Sequence, residues 1–224
     1  MTEDATHSGT IRKGTLHGVS LSPYVRKVRV ALALKSIDYE LVNVMPGAME
    51  PDFLAKSPLS KIPVWEEDGW TLPDSSVICA YLERANPDPA LYPSEPREFA
   101  DALFWEEYAD TRLVDSTSPI FFQRVVRGKI FKQPADEEII ERCVEEVLPP
   151  VFDQIEELFI PTADPSRITI STLSIWAAFV NLTHAEFEVD AKFWPGLATF
   201  LDRMGEHESL RSIVAEERSA MATF

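Results

Sequence analysis

Residues 87–96, PDPALYPSEP, hold four prolines in ten positions. Proline has no amide proton and a fixed φ, so neither a helix interior nor a central strand can run through such a stretch. The chain must divide here, with residues 87–96 as the linker, and 224 residues suffice for two small domains.

Residues 13–86 mix short strand-like and helix-like pieces, beginning with a possible pairing strand at 11–17 (IRKGTLH). Ser22 and Pro23 form a cap and a first helical position for a helix over 22–35, in which Val25, Val28 and Leu32 recur at helical spacing. Residues 39–44 read as a strand, 51–56 as a short proline-opened helix, and 62–65 with 70–72 as a hairpin around EEDG. Asp74 then caps a helix running to about residue 86. The order β-α-β-α-β-β-α predicts a thioredoxin-like domain, parallel pairing first and a hairpin after.

Residues 97–224 predict an all-α domain. An apolar stripe at Phe99, Ala102, Leu103, Trp105, Ala109 and Leu113 marks a helix over 97–115. A second stripe, Ile140, Val144, Val147, Val151, Ile155 and Leu158, marks one over 136–159, and Pro149 and Pro150 should kink or break it at about 3 kcal/mol each. Residues 170–184 are apolar nearly all round and should be buried, with Trp176 as core. Two short helices follow, around 194–205 and 207–217. Residues beyond 115 are expected to supply pocket loops, and carry no diagnostic motif.

Charge and cysteine content narrow the partners. Of the net −16, residues 87–224 hold 12 basic against 26 acidic side chains, and residues 13–86 hold 8 against 9. The acidity reads as solvated helix faces. It repels phosphate backbones and anionic lipid, so neither nucleic acid nor membrane is an expected partner. Cys79 and Cys143 read as buried free thiols, which suits a reducing cytoplasm. No Cys/His cluster has metal spacing, the four histidines form no group, and no metal is expected. The opening MTEDATHSG has neither a basic region nor an apolar core, so no targeting peptide is expected, and residues 1–10 read as a frayed tail.

Three pieces carry chemistry: Ser22-Pro23-Tyr24-Val25-Arg26, Ser57-Pro58-Leu59-Ser60-Lys61-Ile62-Pro63 and Asp74-Ser75-Ser76. Singly each is an ordinary cap or edge. In this order and spacing the chain resembles the cytosolic glutathione transferases, from about residue 13 to about 217. SPYVRKVRVALALKSIDYE resembles the family's first helix and second strand. FLAKSPLSKIPVWEEDGWTLPDSSVICAYLE is similar to its cis-proline and acidic-serine core, and FWPGLATFLDRMGEHESLRS to its penultimate helix and following turn.

The resemblance implies glutathione as co-substrate, conjugation to an electrophilic and partly apolar small molecule, and a homodimer. Glutathione's thiol titrates too high to be mostly thiolate at neutral pH, so a useful protein must stabilise the anion. Ser22, at a helix N-terminus, suits a hydroxyl donor to that sulfur; Ser20 competes for the role. Serine-type members such as the theta and zeta classes use a serine in this region. Omega-class relatives, which exchange disulfides, place a cysteine before that proline, where this chain has Ser22. Pro63 resembles the cis-proline, whose turn would let the Ile62 backbone pair with the cysteinyl unit. Lys61 could meet the glycyl carboxylate. Asp74 and Ser75 resemble the pair that holds the γ-glutamyl end, carboxylate for ammonium and helix amides for carboxylate.

Several positions depart from the family pattern. Ser57 and Ser60 replace its Asn and Gly, and Ala48 and Met49 stand where some classes place basic residues. Thr169-Ile170-Ser171-Thr172 lacks the acid of the usual capping box, which should weaken that helix start by about 1 kcal/mol. Tyr24, Tyr108 and Arg112, with Asp115, are the candidates for the electrophile pocket. The rival functions are a non-catalytic glutathione- or protein-binding relative, and a glutathione-dependent peroxidase, isomerase or dehalogenase.

Overall fold

The structure is a computed structural model and describes residues 10–223. The expected frayed tail over 1–10 lies, save for its last residue, outside the described residues. Strands β1 (Lys13–His17), β2 (Asp38–Val42), β3 (Val64–Glu67) and β4 (Trp70–Pro73) form one sheet in the order β2-β1-β3-β4. β1 runs parallel to β2 and antiparallel to β3, and β3 antiparallel to β4. The β3–β4 turn places Asp68 (φ 48) and Gly69 (φ 78) in the left-handed region, as a tight hairpin requires. Helices α1 (Pro23–Leu34), α2 (Pro51–Lys56) and α3 (Ser75–Ala85) complete this half. Val25, Val28 and Leu32 of α1 are fully buried with Leu16, Trp65 and Ile78, each such side chain contributing roughly 1.5–3 kcal/mol.

The second half is helical. α4 (Pro96–Tyr108) widens into a π-wound turn at Ala109–Leu113, then continues as α5 (Val114–Phe121) and a second π-wound stretch, Phe122–Ile130. Residues 116–130, expected to supply pocket loops, are thus helix rather than loop, and Phe131 follows them. Pro119 removes one ladder donor from α5, and the hydroxyls of Ser116, Thr117 and Ser118 turn back onto carbonyls one turn earlier. α6 (Glu137–Arg142) leads through a π-wound turn, Cys143–Val147, into α7 (Leu148–Gln154) and another, Ile155–Phe159. The interruption expected at Pro149 and Pro150 takes the form of that widened turn, with both prolines in the first turn of α7, where missing donors cost little. Wider winding also shifts the stripe: Leu158 is 61% exposed and Phe159 is buried in its place. Phe99 and Leu103, expected to face inward, are exposed as well.

α8 (Ile170–His184) is buried along nearly its whole length and packs on α1, α4 and α5, with α9 (Pro195–Glu206) and α10 (Glu208–Met221) closing the domain. Its start is better capped than the missing acid suggested. The Thr169 hydroxyl accepts from the Thr172 amide (3.4 Å), and the Thr172 hydroxyl accepts from the Thr169 amide (2.9 Å). Threonine thus completes the reciprocal box.

The two halves share their core. Val30 of α1 belongs to the helical cluster, while Ala102 and Ile170 belong to the sheet cluster. Charges lie between them as well. Arg26, Lys27 and Arg29 of α1 are all buried. Arg26 pairs with Glu217 of α10 (2.7 Å), and Lys27 with Glu106 (3.0 Å) and Asp110. Glu106 and Glu217 are therefore not on solvated helix faces.

Candidate functional site

A cleft of about 990 Å³ lies between the halves. Ser20, Ser22, Tyr24, Lys61, Ile62, Asp74 and Ser75 all line it. Pro63 is buried directly behind, and the Ile62–Pro63 bond is cis. The loop before it is tied down by Ser57, whose hydroxyl donates to the Lys61 carbonyl (2.7 Å) and accepts from the Lys61 amide (3.1 Å). Ser60 takes the left-handed φ of 52.

Three half-formed backbone positions face this cleft. The Ile62 amide and carbonyl have no partner among the described residues, and neither do the amides of Tyr24 and Ser75 in the first turns of α1 and α3. Unpaired donors at two helix N-termini make an anion-accepting wall. The Ser22 hydroxyl accepts from the Val25 amide (3.4 Å), which leaves its proton free to be donated. Asp74 accepts from the Ser76 and Val77 amides (3.0 and 3.2 Å) while holding φ 82 and ψ 129. That backbone is costly for a residue with a side chain, and such strain collects at ligand sites. Lys61, exposed at the rim, is the only Lys or Arg among the lining residues.

The opposite wall belongs to the helical half. Asp110, Val114, Ser118 and Phe121 line it from one face, joined by Phe122 and Phe131. Phe122 (47% exposed) and Phe131 (56%) stand across from Met45 (49%) and Leu59 (62%), so the cleft carries uncovered apolar surface on both sides. Tyr24 bridges the walls: its hydroxyl donates to the Asp110 carbonyl (2.8 Å). Burial, then Asp110 and Asp115, push its pKa up to about 12, so it stays protonated. The Asp110 carboxylate receives Lys27 and the Ser76 hydroxyl (3.1 Å). Burial works against the Lys27 charge, but Asp110 and Glu106 outweigh it and raise its pKa.

Tyr108 and Arg112 do not line the cleft. The Tyr108 hydroxyl donates to Gln154 (2.8 Å), its ring packs on Phe104 and Trp105, and Arg112 points to solvent. They were placed by helical spacing from Asp115, and the face that meets the cleft is rotated from theirs. The spacing of Asp110, Val114, Ser118 and Phe121 by four, four and three was the available signal. Asn181 and Asp110 carry no sequence motif. Among the described residues, no group of three or more His, Cys, Asp and Glu could hold a metal ion.

Comparison with known proteins agrees with this geometry. Residues 16–90 match the family model of the glutathione S-transferase N-terminal domain. A Pseudomonas putida glutathione S-transferase is 28% identical over 93% of this chain and 94% of its own. A probable glutathione S-transferase of Oryza sativa subsp. japonica is 37% identical over 48% of each chain. The chain spans about half the length of most of the plant relatives it matches, 63% at the widest among them. The crystal structure of a Rhodospirillum rubrum glutathione S-transferase, 26% identical, superposes with a TM-score of 0.78 over 89% of this chain and 91% of that one. With a thioredoxin-like half, a cis-proline turn facing a helix N-terminus and an all-helical half, the chain carries a glutathione S-transferase N-terminal domain over residues 16–90 and is similar to glutathione S-transferases along nearly its whole length.

Proposed function

We propose that this chain is a serine-type glutathione transferase, adding the glutathione thiolate to uncharged, partly apolar electrophiles. The observation that carries the reading is the convergence of unpaired backbone groups at Ile62, Ser75 and Tyr24 with the Ser22 hydroxyl in one cleft. Ile62 pairs with the cysteinyl unit as an added strand. The Ser75 amide takes the γ-glutamyl carboxylate and the Asp74 carboxylate its ammonium. Lys61 meets the glycyl carboxylate. Ser22 and the α1 N-terminus hold the sulfur as thiolate, Ser22 being favoured over Ser20 because it caps the helix. The apolar wall of Val114, Phe121, Phe122 and Phe131 takes the electrophile. No metal, nucleic acid or membrane enters this chemistry, and the cytoplasm, where glutathione is reduced, is its setting. A homodimer fits the exposed Trp70, Val77, Phe99, Leu103 and Phe104 on β4, α3 and α4.

Calorimetric titration of glutathione into the wild type and Asp74→Ala tests the site. Binding at millimolar affinity or tighter, lost in the variant, is expected. Wild-type protein that takes no glutathione would leave the non-catalytic reading standing.

A further inference from the structure

Asn181 of α8 is only 5% exposed, yet it lines the cleft. Its Oδ1 accepts from Arg26 Nη1 at 2.9 Å. A guanidinium only donates, so the carboxamide oxygen must face it. The Nδ2 group therefore faces away from Arg26, and no hydrogen bond to a described residue occupies it. This donor borders the cleft, and it is held in place rigidly. Arg26 is fixed by Glu217 (Nε 2.9 Å, Nη2 2.7 Å) and by the Ala177 carbonyl (2.6 Å), and Glu217 in turn by His184 Nε2 (2.7 Å). The same arginine stands one turn from Ser22, its amide donating to the Ser22 carbonyl at 2.9 Å. Asn181 thus presents a preorganised donor on the Ser22 side of the cleft.

The charged side chains of the lining are mostly acidic, set among hydroxyl-bearing and apolar residues. Asp74, Glu107 and Asp110 line it against a single cation, Lys61. A carboxylate-bearing electrophile is repelled, and a neutral one with an oxygen acceptor is matched.

We propose that Asn181 donates a hydrogen bond to the carbonyl oxygen of an uncharged α,β-unsaturated carbonyl substrate, a reading that rests on the glutathione site above. The thiolate sulfur forms a bond to the β-carbon, and the double-bond pair shifts so that the carbonyl oxygen becomes an enolate. Asn181 Nδ2–H holds that developing charge. The α-carbon then takes a proton from water, balancing the proton the thiol released on ionising, so the net step is addition of S–H across the double bond.

The test compares benzylideneacetone with benzyl chloride, which has no oxygen acceptor, in wild type, Asn181→Asp and Asn181→Leu. Asp keeps an oxygen on Arg26 but replaces the donor with a charged oxygen, whereas Leu removes the donor without adding charge, so losses shared by both report the donor. Both variants should lose roughly tenfold or more in kcat/KM with the enone, mostly in kcat. Benzyl chloride turnover should stay within about threefold, and the glutathione Kd should not move. Equal losses on both electrophiles would assign Asn181 to the sulfur or to the fold and overturn the proposal, as would an unchanged enone rate. Should the Leu variant fail to fold, the Asp variant decides. Wild type that binds no glutathione sinks the underlying site, and that result precedes any electrophile assay.

Discussion

On the sheet side of the cleft the exposed groups are backbone atoms and short side chains set by turns: Ile62 beside a cis-proline, Ser75 after the strained Asp74, Ser22 at a cap. On the helical side they are side chains set by packing: Phe121 and Phe122 across a change from α to π winding, and Asn181 held by a buried arginine. Turn geometry is local and needs few residues, so the sheet side can hold an invariant ligand through a short motif. The helical side is tuned by whatever packs behind it. The contrast implies that substitutions on the sheet side cost binding or catalysis at little cost in stability, and that substitutions behind the helical side cost stability first.

The largest effect is expected at Glu217. Glu217→Ala leaves Arg26 and His184 facing each other in a buried site, and should lower unfolding free energy by about 3–5 kcal/mol in urea titration. Burial raises the Glu217 pKa, but the Arg26 charge and hydrogen bonds from His184 and Arg26 outweigh it, so the carboxyl is held below the ordinary range. Its contribution is therefore present above the unfolded value of ~4.3 and lost as pH falls through the lower folded value. Wild type should lose stability in that acid window more steeply than the variant, and matching slopes would break the contrast from the helical side.

Ser22→Ala should next cut turnover by about 10- to 100-fold, the worth of a hydrogen bond to a charged sulfur, while the lost cap costs about 1 kcal/mol of stability. Pre-steady-state titration of the bound thiol should show its pKa rising. An unchanged thiol pKa with Ser22→Ala, and a raised one with Ser20→Ala, would move the role to Ser20. The smallest effect belongs to Lys61. Lys61→Ala should weaken glutathione by only a few-fold, an exposed pair being worth about 0–1 kcal/mol, and added salt should erase the difference.

The local signals in the chain were sufficient for the sheet half. Pro, Ser and Asp at helix starts and alternation in the strands placed every element there to within about two residues, and the motif residues line the cleft except Val25, Arg26, Pro58 and Pro63. The helical half was legible as helices but not as faces. A π-wound turn adds a residue without changing hydrophobic content, so the inward position slid from Leu158 to Phe159, and the cleft-facing row fell on Asp110, Val114 and Ser118 rather than Tyr108 and Arg112.

Burial of charge was illegible for a further reason. Arg26 and Glu217 are 191 positions apart, and neither one's neighbours say that they meet. Local chemistry, which depends on a few bonded neighbours, is written in the sequence itself: caps, turns, the serine before proline. The ionic lock between the halves, the donor left free on Asn181 and the identity of the apolar wall were decided only when α8 and α10 packed against α1, because each depends on which distant group excludes water from which.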